Sequence, residues 1–138
     1  MKFLIVLLMA TPLLAQTTPD APSAKRDRLL DWQFIAVHSV YGAANAFDNY
    51  ATARGLGSAC PYVEGNPDLG PTPSSKSIAI HASIEFAAVV AGDAALKAIG
   101  RHLGMPKWLN NSVGSLAAVI GTGKHLRGGY QWTQTGCL

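Results

Sequence analysis

Charge is what this chain has least of. Charged residues fill 14% of its 138 positions, against about 25% in an average soluble domain. The formal net charge is only +3. Outside Lys25, Arg26 and Arg28 there is no basic run, and none interleaved with aromatics, so nucleic acid is excluded as a partner. Alternation of apolar and polar residues is absent over any strand-like length, which argues against sheet. No internal repeat occurs. The motif H-E-x-x-H is missing, the glycines form no phosphate loop, and Ser39 and Ser83 stand in no triad-like context. No catalytic residue is assigned, and the chain is read as more consistent with a non-enzyme than an enzyme.

What is present begins with MKFLIVLLMATPLLAQ. A lysine, an apolar run from Phe3 to Leu14 and small Ala15 before Gln16 form the layout of a secretory signal peptide covering residues 1–15. The run is short for a spanning helix, which needs about 20 residues. Residues 16–26 are polar and proline-containing, and read as a flexible leader. The remainder, 27–138, reads as one all-α domain: a three-helix bundle running up, down and up. Helix signals extend from about Asp27 to Arg54, from Lys76 to Leu103 and from Lys107 to Leu126. A long loop at 55–75 carries Pro61, Pro67, Pro71 and Pro73 and closes on a Ser74-Ser75 cap signal. Gly128-Gly129 is expected to end the third helix and open a tail over 127–138.

These helices lack the charged outer face that a soluble bundle needs. No charge occurs from Trp32 to Phe47 or from Trp108 to Gly123, and Ser77 to Gly100 holds only Glu85, Asp93 and Lys97. Gly114, Ala118 and Gly121 form a small-residue ridge of the kind that lets membrane helices approach. The opposing observations are length and charge bias. Sixteen uncharged residues rise only about 24 Å, against a hydrocarbon core of about 30 Å. Basic residues also distribute without a positive-inside excess. The balance favours an exported, envelope-located protein, in the inner membrane rather than the soluble periplasm. Membrane lipid or another envelope protein is then the expected partner.

At about 100° per residue, His38, Tyr41, Asn45, Asp48 and Thr52 share one arc of the first helix. His81 and Glu85 are one turn apart on the second, and His125 continues the Gly114–Ala118–Gly121 line on the third. Up-down-up topology brings Asp48, Thr52, His81, Glu85 and His125 to one end, crossed by the loop bearing Glu64 and Asn66. Such a set can be a hydrogen-bonded network that locks the helix ends. It can also be a ligand site. His81, Glu85, His125 and Asp48 have the chemistry to hold a divalent transition metal such as Zn, Fe or Mn. Asp93 and Lys97 read as an i, i+4 pair on the side of the second helix. The same topology places Cys60 and Cys137 at one end, where export would permit a disulfide.

The pattern Asp48-x-x-x-Thr52, Leu56 and Glu64-x-Asn66-Pro67 resembles that of a group of small bacterial membrane proteins of unknown function. The resemblance spans about residues 38–100. It implies apolar helices in a membrane and a joint role for Asp48, Thr52, Glu64 and Asn66, and it implies no activity.

Overall fold

The computed structural model describes residues 28–57 and 64–136, and all regular structure among them is helical. Four helices follow in order: α1 Trp32–Gly57, α2 Ser75–His102, α3 Lys107–Val113 and α4 Leu116–Gln134. The signal-peptide and leader segments expected at 1–15 and 16–26 lie outside the described residues, as do Cys60 and Cys137.

Local chemistry accounts for the helix ends. Asp31 precedes α1 and accepts the Phe34 N–H on Oδ1 at 2.9 Å, satisfying a donor that the helix itself leaves unpaired. Ser74 does the same for α2, its Oγ accepting the Ser77 N–H at 3.1 Å. At the other end of α2 the chain turns on Gly104, whose φ is +69°. Gly104 N–H donates to Arg101 O and Met105 N–H to Gly100 O, the two bonds of a Schellman stop. Gly100 is itself needed as glycine, because a Cβ there would strike Asn110 Oδ1.

The expected third helix departs from its sequence reading twice. It breaks at Gly114-Ser115 into α3 and α4, and it then runs eight residues past Leu126, to Gln134. The break is made from outside the helix. Asp93 on α2 accepts the backbone N–H groups of Ala117 at 3.2 Å and Ala118 at 3.0 Å. In an unbroken helix those donors would bond Val113 and Gly114 carbonyls. The side-chain carboxylate replaces the preceding turn and also sits at the positive end of α4. The helix then continues through Gly128-Gly129 because of packing. Glycine costs about 1 kcal/mol relative to alanine in a helix interior, but here it lets α1 approach. A Cβ on Gly128 would lie 2.5 Å from Asp48 Oδ1, and one on Gly129 would overlap the Phe47 ring. The tail expected at 127–138 is therefore mostly helix.

α1 packs most extensively against α4, with α2 against both. Contacts of Asp93 with His38 and Ala118 at one level, and of His125 with Asp48 and Glu85 at another, make α1 and α4 run together and α2 run against them.

The distribution of polarity is inverted relative to a soluble domain. Among the described residues, six apolar side chains are buried, of which two are Phe34 and Tyr41 and three are alanines. Ten buried side chains are polar or charged, including His38, Asn45, Asp93, Lys97 and His125. Eighteen large apolar side chains are exposed, among them Ile35, Val40, Phe47, Ile84, Leu96, Ile99 and Ile120. α2 is long and apolar enough to cross a membrane. The polar stripe of α1 lowers its own hydropathy, yet His38, Asn45 and Thr52 of that stripe are all buried.

Candidate functional site

The interior polar groups form two clusters, one toward each end of α1. The first lies where α1 begins. Asp31, besides capping α1, accepts a 2.7 Å hydrogen bond from Lys97 Nζ on α2. Lys97 is 3% exposed and its ammonium also stands 5.5 Å above the Phe34 ring, a favourable placement for a cation on a π face. The Asp93–Lys97 pair expected within α2 is thus replaced by two long-range partnerships. One turn beyond Phe34, His38 stacks on its ring with centroids 3.9 Å apart. Its Nδ1–H donates to the Phe34 carbonyl at 2.8 Å. Its Nε2 lies 3.2 Å from Asp93 Oδ2, an electrostatic contact whose angle falls outside that of a hydrogen bond. Asp93, wholly buried, thereby faces an imidazole and two backbone donors. Sequence reading missed Asp31 and Gln33, whose Oε1 accepts a 2.9 Å hydrogen bond from Asn111 Nδ2. The only available signal for Asp31 was its place immediately before an uncharged apolar run.

The second cluster gathers all seven residues singled out from the sequence. Asp48, Thr52, Glu64, Asn66, His81, Glu85 and His125 line one cavity of about 810 Å³, with Lys124, Arg127 and Trp132 at its margin. His125, buried on α4, is held from both sides. Its Nδ1 donates to Asp48 Oδ2 at 2.8 Å. Its Nε2 faces both Asn45 Nδ2 and Glu85 Oε1, each at 3.3 Å. His81 repeats the arrangement at the cavity wall. Its Nε2 faces Asn66 Nδ2 at 3.3 Å and Glu85 Oε2 at 3.9 Å.

The amide orientations are fixed by neighbours. Asn66 Oδ1 accepts the Asp68 N–H at 3.1 Å, and Asn45 Oδ1 accepts from Asn49 Nδ2 at 3.2 Å, so each Nδ2 is left toward its histidine. Each imidazole Nε2 thus has a donor to meet when it is an acceptor and a carboxylate to meet when it carries a proton. Glu85 stands between the two rings and uses a different oxygen on each. Glu64 secures the loop: its Oε1 accepts the Asn66 N–H at 2.8 Å.

Asp48 and Glu85 occupy opposite nitrogens of His125, so the two carboxylates cannot share an ion with that ring. Among the described residues no group of three or more His, Cys, Asp or Glu is disposed to hold a metal ion. The cluster forms a continuous hydrogen-bonding and electrostatic chain from Asp48 to Asn66.

Between the clusters lies Tyr41, wholly buried. Its ring stacks on Phe86 at 5.8 Å and tilts toward His125 at 5.7 Å. Gly121 admits it, since a Cβ there would stand 2.6 Å from the ring. The Tyr41 hydroxyl has no hydrogen-bond partner of good geometry. No protein-family model, no curated protein and no solved structure matches this chain.

Proposed function

We propose that this protein is an integral helical component of a cell envelope, inserted in the inner membrane with its polar groups turned inward and without catalytic activity of its own. One observation carries the reading: ten polar or charged side chains are buried among the described residues while eighteen large apolar ones face outward. In water that arrangement exposes apolar surface costing about 25 cal/mol per Å². In a bilayer it places apolar atoms against lipid and confines ionisable residues to the bundle interior, where membrane proteins keep them. The signal-like segment at 1–15, the small residues Gly114, Ala118 and Gly121 and the resemblance to small bacterial membrane proteins support the same location. The partner is then lipid or another envelope protein meeting the apolar exterior.

Alkaline carbonate extraction of cell membranes tests this. The full-length chain is expected to remain in the pellet, and release into the supernatant would refute membrane integration.

The cavity favours a second reading, a binding protein for a small polar molecule. A space of about 810 Å³ falls within the range of small-molecule sites, about 300–1,000 Å³. Its lining of Asp48, Glu64, Glu85, His81 and His125 offers both acceptors and donors.

A further inference from the structure

Histidine–carboxylate contacts stand on both sides of a buried tyrosine, His38 with Asp93 on one side and His125 with Asp48 and Glu85 on the other. On α1, His38 and Asn45, the neighbour of His125, are seven residues apart, a rise of about 10 Å. On α2, Asp93 and Glu85 are eight apart, about 12 Å. Tyr41 falls between them on the same stripe, three residues after His38 and four before Asn45. The stripe as a whole, from Asp31 to Thr52, rises about 30 Å, the thickness of a hydrocarbon core. Exposure is graded along it. At the cavity end the side chains of His81, Glu85 and Asp48 are 28%, 24% and 21% exposed. In the middle Tyr41 and Asp93 are fully buried, and at the far end Asp31 reaches solvent again at 20%.

Resting on the membrane reading above, we propose that this interior is a proton relay across the bilayer, running from the cavity through Glu85 and His125, past Tyr41, to Asp93 and out by Lys97 and Asp31. Each group has the chemistry its place demands. Glu85, touching both imidazoles, takes a proton from His81 and passes it to His125. When it arrives, Nε2 exchanges the Asn45 amide for the Glu85 carboxylate as partner, while Asp48 holds the ring in register through Nδ1. A tyrosine hydroxyl accepts a proton on oxygen as it releases its own, and this one makes no hydrogen bond of good geometry. Asp93 receives the proton beside His38. Lys97, one turn away on α2, gives a proton to Asp31 across their 2.7 Å contact and is recharged from Asp93. Water carries the proton over any step longer than a hydrogen bond. One proton enters and one leaves, every group returns to its starting state, and no oxidant or reductant is consumed. The driving force is the transmembrane potential and pH difference, about 2.3 kcal/mol per charge per 100 mV.

The test uses the full chain in vesicles of phosphatidylethanolamine and phosphatidylglycerol with trapped pH-sensitive dye. A valinomycin-set potassium potential supplies the drive. The internal pH is expected to change several-fold faster than in protein-free vesicles. Tyr41→Phe, which removes only the hydroxyl and keeps the ring packing, is expected to cut that rate at least fivefold while floating with the vesicles as the parent does. A parent that floats with vesicles but carries no protons above leakage overturns the relay alone. A Tyr41→Phe protein as fast as the parent also overturns it. Failure of the parent to float overturns the membrane reading and the relay with it.

Discussion

Replacing Asp93 by alanine removes a buried side chain that joins three helices. Its carboxylate accepts the N–H groups of Ala117 and Ala118 and stands 3.2 Å from His38 Nε2. Hydrogen bonds to a charged acceptor contribute about 1.5–3 kcal/mol each, and an unsatisfied buried donor costs about 1–3 kcal/mol. The lost negative charge at the α4 N-terminus removes up to about 2 kcal/mol more. These contributions overlap, so the whole effect is expected near 3–5 kcal/mol, the usual range for breaking a buried charged partnership. Asp93→Asn keeps a carbonyl oxygen in the same place and is expected to lose about half of that, because one acceptor survives without the charge. Asp68→Ala, an exposed loop acid, serves as the comparison and is expected to change stability by less than about 0.5 kcal/mol. Equilibrium unfolding in mixed micelles, read by helical circular dichroism, measures all three. The reasoning is refuted if Asp93→Ala stays within about 0.5 kcal/mol of the parent. It is equally refuted if Asn and Ala are equivalent at this position, since the acceptor would then have no role.

Two further predictions follow from packing and from the donor geometry. Gly121→Leu forces a side chain into the Tyr41 ring and is expected to destabilise by about 1–3 kcal/mol, whereas Gly123→Ala, which meets open space in the same helix, is expected to be neutral or to stabilise by up to about 1 kcal/mol; the same unfolding titration distinguishes them. Removing divalent metals with EDTA is expected to leave the thermal midpoint of the purified protein unchanged, because Asp48 and Glu85 hold opposite nitrogens of His125; a drop of several degrees that zinc reverses would restore the metal reading.

The parts of this protein that the sequence alone determined are those written in short-range pattern. Uncharged runs bounded by caps and glycines define α2 to within a residue at each end, whereas α1 starts five residues later than the expected Asp27, at Trp32 after the Asp31 cap, and ends three past Arg54; i, i+4 spacing puts His81 beside Glu85. The arc of His38, Tyr41, Asn45, Asp48 and Thr52 on one face of α1 follows from helical periodicity, and counting helix directions was enough to bring Asp48, His81, Glu85 and His125 to one end. Local pattern reaches no further than about a turn, because a residue's propensity and its same-face neighbours are set within four positions. Asp93 and Lys97 show the limit: spacing pairs them with each other, but the crossing of α2 over α1 and α4 turns one to His38 and Ala118 and the other to Asp31. The break at Gly114-Ser115 was hidden for the same reason, since it is caused by a carboxylate 24 residues upstream of the N–H it accepts. Gly128 and Gly129 read as a stop by propensity, yet α4 continues through them because only glycine lets Asp48 and Phe47 approach so closely. Tertiary packing alone decided which side of each helix faces inward, and so turned a chain merely poor in charge into one with its charge inside.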